Sequence, residues 1–274
     1  MIGWLRNLLE IARQTLLLLA ANRFVWVFGV AALVAAVALA LVARQAAQRG
    51  APGDEFFGVV LYLVGIQFAL PVAVVYLGVV AIHGDLQDRT ATYLFVRPLH
   101  RSAILLGKWL GVVAAGVGLG AVGVVVTYAA LALPPIPWAR GVTPPLAMAI
   151  TFLQASTLAA VAYAAVAALL AAFFRRPLVA GAVFVVGWEA IGSMAPPQAG
   201  VRSLTVADPV RRWLASEIQA TGPLREVLAM RLDRFVDPSE LRDPLASLAW
   251  LAGVALLLAL WIYTGREYDS RVRE

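Results

Sequence analysis

Residues 109–133 read WLGVVAAGVGLGAVGVVVTYAALAL and include no charged side chain. A membrane-spanning helix needs about 20 consecutive, mostly apolar residues, so this run is long enough to cross the hydrocarbon layer. It is too long for a strand, and its apolar residues do not alternate with polar ones. The run therefore predicts a transmembrane α-helix.

Five further stretches are similarly apolar, although one of them is short. They are Phe24–Ala43, Phe56–Ile82, Leu146–Phe174, Leu178–Met194 and Ala246–Gly265. Pro71 lies in the middle of the second span and predicts a kink there, because proline lacks the N–H of a helical hydrogen bond. None of the stretches has the period-two alternation of a transmembrane β-barrel. The sequence thus predicts an all-α membrane protein, in which 1–274 form one domain with six transmembrane helices.

The composition agrees with this fold class. Hydrophobic residues make up 62% of the 274 residues, charged residues make up 14%, and the mean hydropathy is +0.83. Soluble domains contain about 45–50% apolar and about 25% charged residues, so the composition disfavours a soluble globule and excludes a disordered chain. The chain has no cysteine and two histidines. This excludes disulfides, thiolate metal centres and a cysteine nucleophile, and it leaves too few ligands for a histidine-rich metal site.

Membrane topology explains the formal net charge of +6. Twelve basic residues lie in the N-terminal segment, in the loops after the second and fourth spans, and in the C-terminal tail, whereas the opposite short loops carry three. Basic residues concentrate in the short cytoplasmic loops of membrane proteins. We therefore predict a multi-pass protein of the inner (plasma) membrane with both termini in the cytoplasm, and no binding of nucleic acid.

Residues 1–23 precede the first span. Apolar residues recur at helical spacing between positions 4 and 20, with Arg6, Glu10 and Arg13 on the other side, which is the pattern of an interfacial helix. A cytoplasmic extension of the first span would have a similar composition, and both interpretations stay open. The first apolar run is longer than that of a signal peptide, so we expect it to remain uncleaved.

The predicted extracytoplasmic segment, 195–245, carries repeated helix-start signals. Asp208-Pro209 and Asp243-Pro244 each place a capping residue before a proline that suits the first helical turn. Leu224 and Leu228 later share one helical face. We predict short amphipathic helices here, with Asp208 as an N-cap. Such helices could line a gate or only cap the bundle.

The loop 83–108 reads HGDLQDRTATYLFVRPLHRSAILLGK. Asp85 can cap a helix, with Asp88 in its first turn near the positive end of the helix dipole, and Pro98 ends that helix. Between them, residues at three- and four-residue spacing give one face that includes Tyr93 and Leu94. A short capped helix between two spans suits docking into another protein, and a connecting helix on the lipid surface is equally compatible.

This loop resembles the signature loop of type 2 ABC exporter permeases. An acidic residue, a threonine, a leucine, a proline, an arginine and finally Gly107-Lys108 follow one another in the order common in that family. Arg89 stands where glycine is more usual. The six-span plan, the N-terminal helix, the short fifth span and the long segment before the last span are similar to the family as well, so the resemblance covers the whole chain.

The resemblance implies that the loop helix is a coupling helix, which sits in a cleft of a separate ATP-hydrolysing subunit. It also implies two permease subunits, identical or different, together with two ABC ATPase subunits that bind ATP and Mg. The residues expected to couple to the ATPase are Asp85, Asp88, Arg89, Thr90, Tyr93, Leu94, Arg97 and Arg101.

The chain itself lacks the GxxxxGK[ST] phosphate-binding loop of an ATPase. Gly118–Gly123 match the GxGxxG dinucleotide pattern, but they lie inside an apolar span with no preceding strand. The pairs Gly107/Gly111 and Gly116/Gly120 are better interpreted as small residues at which helices pack closely. No Ser–His pair, paired aspartates or zinc-ligand motif lies in a span, so we predict that this chain is not an enzyme and holds no cofactor or metal.

Three polar side chains are predicted at membrane depth. Glu189 is the only acid well inside a span, where a charge costs about 2.5–3.5 kcal/mol on insertion scales, so it is expected to face protein or water. It is a candidate for the substrate path or a gate, and a hydrogen-bonded packing role is the alternative. Gln67 and Gln154 are candidates of the same kind, although an amide at this depth more often bonds to a neighbouring helix.

The sequence therefore predicts the permease subunit of an ATP-driven exporter. One alternative is an accessory or maturation complex that passes ATP-driven motion to an extracytoplasmic partner. Another is an ATPase-independent secondary transporter, for which internal repeats would be expected, and none is visible in the sequence. The low fixed charge within the spans favours an apolar or amphipathic cargo.

Overall fold

The structure, a computed structural model, describes residues 2–48, 53–87, 100–132, 146–189, 204–218 and 243–265, together with Leu224 and Leu228. Nearly all of these residues are helical, and no strand occurs among them. The α-helices are α1 (Ile2–Ala21), α2 (Arg23–Gln48), α3 (Gly53–Val60), α4 (Leu70–Gln87), α5 (Arg101–Ala132), α6 (Leu146–Phe173), α7 (Pro177–Ala182), α8 (Ala207–Glu217) and α9 (Pro244–Gly265). A π-helical segment, Leu61–Ala69, joins α3 to α4, and a second one, Val183–Glu189, continues α7.

Helices that could cross a membrane make up most of the described chain. Four are long and apolar enough, namely Phe57–Gly84, Arg101–Ala129, Leu146–Phe173 and Pro244–Gly265. A fifth is present if α1 and α2 are counted together as one bent span. The predicted short span Leu178–Met194 corresponds to α7 and its π-helical continuation, which are described as far as Glu189. The chain is thus a multi-pass, all-α membrane protein, and the full six-span layout stays a prediction.

A bend of 67° separates Trp4–Ala21 from Val25–Ala31. The indole N–H of Trp26 donates to the carbonyl oxygen of Ala20 at 2.8 Å and supports this corner. The N-terminal helix is therefore distinct from α2 and not its straight extension. The interfacial position of residues 1–23 stays a prediction.

Glycines of α5 let α1 lie directly against its backbone. A Cβ atom on Gly107 would lie 2.8 Å from the side chain of Ile11, and one on Gly111 would lie 2.8 Å from the carbonyl oxygen of Ala12. Real side chains do not approach so closely, because repulsion rises steeply inside van der Waals contact. The close packing predicted for this pair of glycines is confirmed.

The second pair of glycines on α5 has the same effect toward the core. A Cβ atom on Gly116 would lie 2.8 Å from Val74 of α4, and one on Gly120 would lie 2.8 Å from the hydroxyl oxygen of Ser156 on α6. The GxGxxG pattern that includes Gly120 lies within the continuous helix α5. These glycines therefore serve helix packing, as predicted.

Pro71 does not end the second span. The backbone N–H of Leu70 bonds to the carbonyl oxygen of Gly65, which is the five-residue spacing of a π-helix. The wider turn directly precedes Pro71, whose ring would crowd the carbonyl of a regular α-helical turn. Phe57–Gly84 therefore continue through the proline as one long helix.

The helix ends that were predicted to face the cytoplasm meet at one end of the bundle, which we call the loop end. Its buried cluster consists of Ile82, Leu105, Ala168, Ala171, Ala259 and Tyr263. At the opposite end, which we call the outer end, the ring of Phe57 lies edge-on to Tyr128 at 6.1 Å and to Phe152 at 6.0 Å. Leu224 is helical and packs against Gly58 beside these rings.

The two Asp-Pro signals have different outcomes. Asp243 begins α9 as predicted, because its carboxylate accepts a hydrogen bond from the backbone N–H of Leu245 at 3.0 Å. The prediction that Asp208 is an N-cap is wrong. The helix α8 begins one residue earlier, at Ala207, and its N-cap residue Val206 has no side-chain capping bond. The acceptor for this helix start comes from elsewhere in the chain.

Candidate functional site

Glu189 is the last residue of the π-helical segment that continues α7, and its side chain is only 5% exposed. One carboxylate oxygen accepts a hydrogen bond from the backbone N–H of Val206 at 2.8 Å. The other accepts one from the N–H of Ala207 at 3.1 Å. The carboxylate thus caps the N-terminus of α8 from a neighbouring helix, in place of a local N-cap side chain.

The short length of its helix, taken with the predicted topology, predicts that this cap lies at membrane depth. The six residues of α7 and the seven of its continuation extend over about 20 Å at 1.5 Å per residue. Arg175 and Arg176 precede this helix, are exposed and are predicted to mark the cytoplasmic surface. On this predicted topology, and with a hydrocarbon layer about 30 Å thick, Glu189 would end about 10 Å short of the opposite surface.

A helix that starts at this depth needs an acceptor from the protein. The first N–H groups of an α-helix have no partner within the helix, and they carry a partial positive charge. The hydrocarbon layer offers them no hydrogen bond. The carboxylate of Glu189 satisfies two of these groups and offsets their charge.

Further polar side chains surround the cap, and all of them except the partly buried Arg212 are buried with it. The hydroxyl of Tyr163 on α6 interacts electrostatically with the Glu189 carboxylate, and among the described residues it has no partner in hydrogen-bonding geometry. Asp208 forms ion pairs with Arg211 and, at 3.0 Å, with Arg212. We call these five side chains the outer cluster. Its two acids and two arginines balance in formal charge, which lowers the cost of burying them together.

The outer cluster is suited to mechanical linkage between α7 and α8. The indole N–H of Trp188 donates to the carbonyl oxygen of Leu204 at 3.3 Å, so adjacent residues of the π-helical segment bind the start of α8 and the residues just before it. Any displacement of this segment must therefore move α8 or break these bonds. Among the described residues, no three His, Asp or Glu side chains are placed to hold a metal ion.

Two basic side chains fix the base of the loop 83–108. The ammonium group of Lys108 on α5 donates to the carbonyl oxygen of Ala81 on α4 at 2.6 Å, and the side chain of Lys108 is 6% exposed. The guanidinium group of Arg101 donates to the carbonyl oxygen of Thr264, near the end of α9, at 3.3 Å. A cation at the C-terminus of a helix also interacts favourably with the helix dipole.

Most of the predicted coupling residues lie outside the described part of the chain. These are Asp88, Arg89, Thr90, Tyr93, Leu94 and Arg97. Asp85 lies near the end of α4, and Arg101 is the first residue of α5. The two ends of the loop are therefore placed, and the coupling role of its residues stays a prediction.

The two glutamines predicted at membrane depth do not join the outer cluster. Gln154 lies on α6 nine residues before Tyr163, about 14 Å along the helix axis, and its side chain is exposed on the bundle surface. Gln67 lies in the first π-helical segment and is partly buried. A path that includes Glu189 together with these glutamines stays a prediction.

Sequence reasoning predicted no site role for four residues of these sites, namely Tyr163, Lys108, Arg211 and Arg212. Tyr163 lies among alanines in a span, where an aromatic side chain is read as packing, and nothing in its neighbourhood indicates a partner. Lys108 had a signal that could have been used, because it is the only lysine in the chain. Its position at the boundary between a loop and a span is compatible with snorkelling to the surface, whereas the structure buries it.

The helices define a membrane protein with several spans, whose described polar sites lie at the two ends of a tightly packed bundle. Residues 18–188 match the model of a family described as ABC-2 family transporter protein. The chain belongs to this family. The matched part ends one residue before Glu189, so α8 and α9 lie beyond it. No curated protein is significantly similar to the chain.

Proposed function

We propose that this chain is the permease subunit of an ATP-driven exporter and that a separate ATPase subunit hydrolyses ATP. The observation that carries the proposal is the match of residues 18–188 to the ABC-2 transporter family, because these residues include the loop 83–108. In the complex, two permease subunits and two ATPase subunits that bind ATP and Mg work together. Both permease termini and the loop lie on the cytoplasmic side of the plasma membrane.

The base of the loop supports a coupling role. A force on a loop reaches the bundle only if the ends of the loop do not yield. Lys108 ties the start of α5 to Ala81 of α4, and Arg101 ties it to Thr264 of α9. Movement of the loop helix would therefore displace the ends of three helices together.

Close packing supports transmission from the loop toward the outer end. A Cβ atom on Gly78 of α4 would lie 2.5 Å from the Cβ atom of Ala167 on α6. One on Gly181 of α7 would lie 2.7 Å from Val75 of α4. Interfaces packed this tightly shift as units and do not deform continuously, so a displacement of α4 would carry α7 with it.

The outer cluster is the proposed end of this route. The helix α7 leads into Glu189, and the Glu189 carboxylate holds Val206 and Ala207 at the start of α8. In the proposed cycle, closure of the ATPase pair moves the loops together, and α7 then shifts α8 to open the path outward. We call Glu189 a latch, because its hydrogen bonds connect α7 to the helix that would move in the gate. Gln67 and Gln154 remain candidate path residues on other faces of the bundle.

Substitution of Tyr93 tests the coupling role. Truncation of a buried aromatic anchor typically weakens an interface by about 2 kcal/mol or more, or roughly 30-fold in Kd. Tyr93→Ala should therefore reduce the amount of ATPase that copurifies with the permease from membranes, or it should leave hydrolysis without transport. His100→Ala is the matched control, since His100 lies in the same loop, is exposed and is outside the coupling set.

The comparison requires that both variants reach the membrane in the same amount, as measured by immunoblot. If Tyr93→Ala assembles and transports as well as His100→Ala, the loop is not the ATPase contact. An intact complex in which the loop faces lipid would lead to the same conclusion.

A further inference from the structure

A cavity of about 370 Å³ lies between α2, the first π-helical segment, α5 and α6. Gly29 of α2, Phe68 of the π-helical segment, Gly123 of α5 and Ser156 of α6 are among its lining residues. Its walls on α5 and α6 come from the later half of α5 and the first half of α6. The cavity therefore lies in the half of the bundle toward the outer end.

Among the described lining residues, the two hydroxyl side chains each donate a hydrogen bond to a backbone carbonyl. Thr127 donates to the carbonyl oxygen of Gly123 at 2.8 Å, and Ser156 donates to that of Leu153 at 2.8 Å. The other lining side chains are apolar. Because a buried water needs two to four polar partners, these walls favour neither water nor a polar ligand.

The cavity is open to the surface of the chain. Phe68 and Val122 line it, and both are largely exposed, at 62% and 56%. At this depth the surrounding medium consists of lipid acyl chains. Dry apolar cavities of about 150 Å³ already bind small hydrocarbons, and this cavity has more than twice that volume.

We propose that the cavity binds an acyl chain of a membrane phospholipid from the leaflet on the outer side. The acyl chain would fill the cavity and give packing partners to the side chains that line it. Binding of this kind needs neither the ATPase nor the transport cycle. Its test is therefore independent of the function proposed above.

Two glycines of α5 provide a matched pair of variants. A Cβ atom on Gly123 or on Gly118 would meet no atom within 4 Å, so both positions have room for a larger side chain. Gly123 lines the cavity and Gly118 does not. Gly123→Phe should occupy the cavity, whereas Gly118→Phe places the same ring on the same helix outside it. Gly29→Phe, which also has open space, fills the cavity from α2 if Gly123→Phe fails to fold.

The experiment uses the full chain in vesicles of phosphatidylcholine that carries a diazirine near the end of one acyl chain. Irradiation should crosslink the probe to peptides that contain residues 64–68 and 122–126. Because a phenyl ring and an acyl chain cannot share the same closely packed volume, Gly123→Phe should lower this yield about threefold or more, and Gly118→Phe should leave it unchanged. Absence of these crosslinks, or equal yields in both variants, would overturn the proposal.

Two further experiments distinguish the source of the bound acyl chain and test for other occupants of the cavity. A free fatty acid with the same diazirine should not displace the phospholipid probe, and labelling by the fatty acid alone would contradict a phospholipid ligand. The chain has no cysteine, so Phe68→Cys introduces a unique thiol at the mouth of the cavity. Reaction of this thiol with a charged, water-soluble reagent would show a water-filled site, and a disulfide between two copies would show that a second permease covers it. We expect neither product.

Discussion

Replacing Glu189 by alanine removes the carboxylate that accepts the backbone N–H groups of Val206 and Ala207. Loss of an N-cap costs about 1–2 kcal/mol, and loss of the favourable charge at a partly buried helix N-terminus adds up to about 2 kcal/mol. We therefore expect Glu189→Ala to destabilise the start of α8 by about 3 kcal/mol. Glu189→Gln keeps an acceptor oxygen and loses the charge, so it should cost about half as much.

Hydrogen exchange of residues 204–218 in lipid nanodiscs measures this effect locally. A loss of 3 kcal/mol corresponds to exchange that is about a hundredfold faster, provided that these amides exchange through local opening. Glu217→Ala is the matched control. It removes an exposed carboxylate from the last turn of the same helix, where a negative charge is not favoured by the dipole, and it should leave exchange unchanged or slightly slower.

Transport assays then distinguish two roles of Glu189, a connection between α7 and α8 and a charge that acts directly in the substrate path. If Glu189 acts as a latch, Glu189→Gln should retain most of the transport activity and Glu189→Ala should lose it, with the ATPase still bound in both. Unchanged exchange in Glu189→Ala would refute the capping argument. Equal loss of transport in both variants, with α8 still protected in Glu189→Gln, would show that the charge acts directly in the path.

Two further substitutions test the packing and the base of the loop. Gly107→Ala places a Cβ atom 2.8 Å from Ile11 and should lower stability by about 1–3 kcal/mol through overpacking. In the control Gly118→Ala, on the same helix, the new Cβ atom meets no atom within 4 Å, so this variant should be neutral or more stable by up to about 1 kcal/mol. Thermal unfolding in detergent compares the two variants. Lys108→Met keeps an unbranched side chain, one heavy atom shorter, and leaves the carbonyl of Ala81 without this donor, at a cost of about 1–3 kcal/mol. In the unaltered protein, Lys108 should stay unlabelled by a water-soluble amine reagent, and rapid labelling would contradict its buried position.

The hydrophobic pattern was sufficient to predict the fold class and the positions of the long helices. An apolar run of 20 or more residues has few alternatives to a membrane helix, and glycines at four-residue spacing have few uses other than close packing. The close packing of Gly107 and Gly111 follows from this reasoning, whereas the identity of their partner, α1, does not. The π-helical turn before Pro71 does not, because a proline in a span predicts a local disturbance without its geometry.

The N-cap of α8 could not be predicted from local sequence. Asp208-Pro209 and Asp243-Pro244 are the same signal, and only Asp243 caps its helix. The difference arises because Glu189, distant in sequence, already satisfies the N–H groups at the start of α8, while Asp208 binds Arg211 and Arg212. Glu189 was found by its rarity at membrane depth, but its partners depend on tertiary packing that no short motif encodes.

ATP hydrolysis by the chain alone and by the complex purified from native membranes tests the central claim most directly. A permease that depends on a separate ATPase predicts no hydrolysis by the isolated chain, because it lacks a phosphate-binding loop. It predicts hydrolysis by the native complex, and loss of this activity when the copurifying subunit carries a substitution in its phosphate-binding loop. Hydrolysis by the isolated chain, or a native complex without any ATPase subunit, would contradict the account.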